Sequence, residues 1–133
     1  MFEHFDEDEE VEVTMGITEK DIDRVAHEFE SCQKVLTALG DETRQHVLLS
    51  LLAGPCEGSR VVDVAAGTSL SRPAVSHHMQ ILREAGIVRS RKEGTCVYYY
   101  LDPADHEIGS LVELFSDIRR IMRFVPSREE AAL

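Results

Sequence analysis

The sequence predicts a mainly α-helical fold with one small β-hairpin, and three observations predict it. Residues 71–86, SRPAVSHHMQILREAG, carry a helix signal at both ends and two chemically distinct faces. A short apolar helix signal at 61–67 precedes them across the small polar turn Thr68-Ser69-Leu70-Ser71, the length that joins two crossed helices. Residues 87–101 read as two strands folded about Glu93-Gly94. Helix, turn, helix and hairpin in that order make a winged helix-turn-helix, with about five helices in all and a two-stranded wing.

Residues 1–16 hold seven acids and no base, which predicts a disordered, solvated tail ahead of a single domain at 17–125, with 126–133 a second tail. Thr18 followed by Asp21 is a capping box with the shorter acid, and it opens a helix predicted to run over 18–39. Its apolar residues include Ile22, Val25, Phe29, Cys32, Val35 and Leu39 at spacings of three and four. Asp41 begins the next helix, whose core positions are Val47, Leu48, Leu51 and Leu52, and Gly54-Pro55 stops it. Ser59 is the expected cap of the 61–67 helix.

In the 71–86 helix, Ser71 is the natural N-cap, Pro73 sits in the first turn where a missing N–H costs nothing, and Gly86 is the expected left-handed residue past the end. At about 100° per residue, Val75, Met79 and Leu82 share one side, with His78 on its flank. Pro73, Ser76, His77 and Gln80 face the other way. The wing strand carries Tyr98, Tyr99 and Tyr100, expected to pack the hairpin against the helices. Asp102-Pro103 is expected to open the last helix, at 103–123, whose apolar residues cover more than half its circumference. One chain can bury only part of that surface. The first and last helices are therefore expected to pair in a homodimer through Ile22, Val25, Phe29, Leu111, Phe115, Ile118 and Met122.

The 133 residues suffice for one domain and leave no room for a separate catalytic one. There is no phosphate-binding glycine loop and no nucleophile elbow, so no enzymatic activity and no cofactor are expected. Three cysteines without CxxC spacing argue against a disulfide framework. The N-terminal MFEHFDEDEE is unlike a signal peptide and no apolar run matches a membrane span, so a cytoplasmic location without a membrane partner is expected. The net charge of −11 is unevenly spread: residues 59–101 carry six bases and three acids, against fifteen acids and four bases before them. The positive segment, with Arg60, Arg72, Arg83, Arg89, Arg91 and Lys92, is the one that contains the two-faced helix and the wing.

The ordered set LTALGDETRQHVLLSLLAG, LSRPAVSHH, LREAGIVRSR and the wing ending in VYYYL, spanning 36–102, resembles the ArsR/SmtB family of winged-helix transcriptional regulators. The resemblance implies a DNA-binding homodimer, usually a repressor released by a metal ion or another signal. It also implies where metal ligands would stand. The family's thiolate pair falls here on Arg60 and Val62, and its last-helix set on Asp105, Glu107, Ile118 and Ile121. Neither set supplies the thiolates or imidazoles that such sites use, so no metal site is expected.

The expected function is therefore sequence-specific binding of a double-stranded, pseudo-palindromic DNA operator. Contacts are assigned to Ser71, Arg72, Ser76, His77, Gln80 and Arg83 on the helix and to Arg91 and Lys92 on the wing. Two alternatives stand beside it: a winged-helix module that binds only protein, which the acidic total favours, and a thiol-responsive regulator, with Cys32 and Cys56 as candidate sensors.

Overall fold

Thr18 does cap the first helix, and it does so reciprocally: its Oγ1 accepts from the Asp21 N–H at 3.2 Å while Asp21 Oδ2 accepts from the Thr18 N–H at 2.9 Å. The computed structural model describes residues 16–104 and 106–124, and among them it places six helices and one antiparallel pair of strands. In chain order these are α1 (Glu19–Ser31), α2 (Gln33–Leu39), α3 (Glu42–Ala53), α4 (Val61–Ala66), α5 (Arg72–Glu84), β1 (Val88–Glu93), β2 (Cys96–Leu101) and α6 (His106–Met122). The expected tail at 126–133, and all but Gly16 of the one at 1–16, lie outside the described residues.

The chain divides into two compact units. One is Gln33–Ile108, which holds α2 to α5, the hairpin and the first turn of α6. Its core is Val35, Ala38, Val47, Leu51, Val64, Val75, Met79, Leu82, Ile87 and Val88, all buried. β1 and β2 pair from Val88↔Leu101 to Glu93↔Cys96, and Ser59 adds an isolated antiparallel bridge to Tyr99. The other unit contains α1 and α6 from Gly109 onward. There Leu111 and Leu114 are buried, whereas Ile22, Phe29, Val112, Phe115, Met122 and Phe124 remain exposed. Along α6 the residues 111, 114, 118 and 121 follow one stripe and 112, 115 and 122 a second.

Three expectations need correction. The helix foreseen over 18–39 is two helices separated at Cys32, whose N–H is shared between the carbonyls of Glu28 and Phe29. Ser31 and Cys32 are both indifferent helix formers, and the three-and-four apolar spacing continues through them, so periodicity conceals a one-residue break. Six helices result instead of five. Ser59 is not the cap of α4, because its N–H and C=O are committed to Tyr99 at 2.8 Å each; Arg60 takes the cap position instead. Pro103 does not start the last helix. Asp102 Oδ1 accepts from the Ala104 N–H at 2.9 Å, holding a turn, and α6 begins at His106.

Candidate nucleic-acid interface

α5 is held at both ends as its sequence requires. Ser71 Oγ accepts from the Ala74 N–H at 3.2 Å, Pro73 occupies the first turn, and Gly86 leaves the helix with φ +82°. Just upstream, Thr68 Oγ1 accepts from the Leu70 N–H at 3.2 Å and shapes the turn between α4 and α5. Val75, Met79 and Leu82 are wholly buried, which pins the orientation of the helix. Its outward face then carries Ser71, Arg72, Ser76, His77, Gln80 and Arg83, all exposed.

Two members of that face are already engaged. The Ser71 hydroxyl is committed to its capping bond. Gln80 Nε2 donates to Glu84 Oε1 at 3.1 Å, so the amide group is orientated by a neighbour one turn on. Sequence reasoning missed Glu84; the Gln-x-x-x-Glu spacing is the signal that could have found it. It places one negative charge on an otherwise basic and neutral face.

The wing is less free than its composition suggests. Arg91 Nε donates to Glu93 Oε1 at 3.0 Å, its Nη1 donates to the Glu57 carbonyl, and its guanidinium lies 4.9 Å from the Tyr98 ring centre and 5.8 Å from that of Tyr100. Arg91 thus ties β1 to the Pro55–Ser59 loop. Arg89 stands 3.9 Å from Asp102, and Arg60 forms a two-nitrogen pair with Asp63 at 3.0 and 3.1 Å. That pair holds the Asp63 carboxyl below its ordinary range, chiefly through the Arg60 hydrogen bonds. Among the described residues, no ion pair is formed by Arg72, Arg83 or Lys92. Half of the positive segment's bases are therefore used internally, and the other half are presented.

The family's metal positions do not fit a metal here. Arg60 stands where the first thiolate would be and is spent on Asp63; Val62, Ile118 and Ile121 bring no donor atom; Glu107 packs over Gly86; Asp105 lies outside the described residues. The three thiols differ in access. Cys32 is 1 % exposed and lines a cavity of about 240 Å³ with Arg24, His27, Glu28, Ser110 and Glu113, Cys56 is exposed, and Cys96 is half-buried beside Arg60.

The assigned interface residues of the other unit also separate. Ile22, Phe29, Phe115 and Met122 are exposed, Val25 and Ile118 are half-buried, and Leu111 is already covered within one chain. Val112 and Phe124, outside the assigned set, are exposed as well. None of the described helices is long and apolar enough to cross a membrane.

Comparison with known proteins gives this arrangement its family. The model of the bacterial regulatory protein arsR family matches residues 41–90. An uncharacterized HTH-type transcriptional regulator of Methanocaldococcus jannaschii is 35 % identical over 91 residues, covering 68 % of this chain and 97 % of that protein. A homolog of the cadmium resistance transcriptional regulatory protein CadC from Staphylococcus aureus is 43 % identical over 82 residues, 60 % of this chain and 63 % of its own length. The solution structure of a homodimeric winged helix-turn-helix DNA-binding domain from Mycobacterium bovis superimposes with a TM-score of 0.55 at 29 % identity, covering 71 % of this chain and 86 % of that one. The chain belongs to the arsR family of bacterial regulatory proteins, DNA-binding winged helix-turn-helix regulators of transcription.

Proposed function

We propose that the chain is a homodimeric repressor that binds a pseudo-palindromic operator in double-stranded DNA in the cytoplasm, with residues 17–125 acting as one DNA-binding and dimerisation domain. The observation that carries this reading is the set of cations outside any ion pair, Arg72, Arg83 and Lys92, presented with Ser76, His77 and Gln80 around a helix whose other face is locked in a core. Gln80 suits bidentate contact with adenine, and Arg72 or Arg83 suits guanine or phosphate. Ser71, Ser76 and His77 complete the helix contacts. Lys92 and Arg91 meet phosphate at the wing.

The exposed stripe of Val112, Phe115 and Met122, with Ile22 and Phe29, supports dimerisation by the α1 and α6 unit. Two-fold symmetry then sets half-sites about 10 to 10.5 base pairs apart, or a multiple of that. A binding titration on the DNA upstream of the protein's own coding sequence, with sedimentation of the free protein, tests both parts. A monomer at micromolar concentration would refute the dimer. Binding no tighter than to mixed-sequence DNA would favour the protein-interaction module instead.

A further inference from the structure

Arg44 is 7 % exposed, and none of the hydrogen bonds of its guanidinium is to a carboxylate. Its Nε donates to the Ala38 carbonyl at 2.7 Å and its Nη2 to the Thr37 carbonyl at 3.4 Å, the latter shared with the Gly40 N–H, so one guanidinium caps the end of α2. Its Nη1 lies 3.2 Å from Nδ1 of His78, a residue of α5 thirty-four positions away. A guanidinium has donors only, so Nδ1 must be the acceptor and the imidazole must be neutral, with its proton on Nε2. One buried side chain thus joins the end of α2, the start of α3 and the middle of the helix that presents Ser76, His77 and Gln80.

We propose that the Arg44–His78 hydrogen bond is a proton-sensitive positioning contact for α5, holding its outward face in the DNA-binding orientation while His78 is neutral and releasing it when His78 is protonated. A protonated ring cannot accept from Arg44 and sets two cations against each other in a half-buried place. The charged and titratable groups acting on His78 are Arg44 of α3, Asp41 at the N-cap of that helix and His77 on α5 itself, while Lys34, the charged residue of α2, is exposed. On the other elements packed on α5, Asp63 of α4 pairs with Arg60, and Arg89 and Arg91 of β1 pair with Asp102 and Glu93, which leaves Lys92 as the β1 charge outside any ion pair among the described residues. Burial, followed by the Arg44 charge, holds the ring below its ordinary value of 6.5, so release begins on the acid side of that value.

The inference rests on the DNA-binding reading, and its test separates the two. His77, on the presented face, is kept in both proteins compared, wild type and His78→Asn, and the affinity of each for a labelled duplex from upstream of the protein's own coding sequence is measured from pH 8 to pH 5.5. Helical content is followed by circular dichroism over the same range. The expected result for the wild type is a fall in affinity on the order of tenfold per dimer below pH 6.5, with helical content unchanged. In His78→Asn, the Asn Oδ1 takes the place of Nδ1 and accepts without titrating, so affinity at pH 7.5 is kept and the acid loss disappears. The same acid loss in both proteins would overturn the proposal. No binding by the wild type at pH 8 would instead overturn the DNA-binding reading. A second measurement needs no variant: the His78 ring titration, followed by NMR, must move to lower pH when the duplex is bound. An unchanged or higher titration point would equally overturn the proposal.

Discussion

The side chain of Glu107, in the first turn of α6, lies over Gly86 so closely that a Cβ added to Gly86 would stand 2.8 Å from the Glu107 Cγ. Gly86 also has φ +82°, so two separate constraints meet at the residue that ends α5. Gly86→Ala is expected to cost about 1 to 2 kcal/mol from the backbone alone, with the crowding against Glu107 adding to it. Thermal unfolding of Gly86→Ala with and without Glu107→Ala separates the two effects. Removal of the Glu107 side chain should relieve the crowding and leave the backbone cost.

On DNA, Gln80→Ala should cost about 1 to 3 kcal/mol and relax base preference at one position per half-site. Lys92→Ala should weaken all sequences alike and reduce the salt slope by roughly one unit for each phosphate it no longer neutralises. Arg91→Ala should do this and also lower the melting temperature, because Arg91 holds the wing to the Glu57 carbonyl and across two tyrosine rings. Titrations at several salt concentrations, paired with melting curves, distinguish the three.

Stability of the α1 and α6 unit should depend on pH in two opposite ways. Asp21 is held below its ordinary value of 3.8, first by the Thr18 backbone N–H and then by Arg120 at 3.0 Å, against the opposing effect of burial. Its contribution is present above 3.8 and is lost as the pH falls through the lower folded value. Glu28 is raised above 4.5, first by burial and then by the neighbouring Asp117 carboxyl, so its ionisation in the fold removes stability as the pH rises from 4.5 through the folded value. Glu28→Gln should therefore stabilise the protein at pH 7 and change little at pH 4. Asp21→Ala should cost about 1 to 3 kcal/mol at pH 7, since it removes a cap and leaves Arg120 short of a partner. Denaturant unfolding at the two pH values checks both signs.

Stoichiometric zinc, cadmium, arsenite or antimonite should not release the DNA, because Arg60, Val62, Ile118 and Ile121 provide neither thiolate nor imidazole at the family's metal positions. A bulky thiol reagent should label Cys56 in the folded protein and reach Cys32, 1 % exposed, only on unfolding. Mass spectrometry of the labelled protein reads the order directly. Release of DNA by a stoichiometric metal would contradict the first expectation, and early labelling of Cys32 the second.

The features legible in the sequence were those written in neighbouring residues. Ser71, Pro73 and Gly86 mark α5 because caps and breakers act within a few positions, and Val75, Met79 and Leu82 reveal its buried side because helical spacing repeats locally. What escaped was long-range or compensated. Arg44 reaches His78 and Arg91 reaches Glu57 across thirty-four residues each, and no periodicity encodes such a partner. The break at Cys32 escaped for another reason, since a helix can pause for one residue without disturbing the apolar pattern on either side. Charge counting also overstated the wing, because a sum over residues 59–101 does not show which bases already have an acid beside them.

At the turn that joins the two wing strands, Gly94 faces open space among the described residues. A Cβ at Gly94 would have no heavy atom within 4 Å, and although φ there is +60°, no core side chain depends on what occupies the tip. The strand pairing ends just below it at Glu93↔Cys96, and the side chain of Arg91 and the Ser59–Tyr99 bridge hold the hairpin lower down. The tip is therefore the region where length and chemistry can drift most cheaply, and two descendants of this chain could diverge in what their wings reach for while retaining one common core.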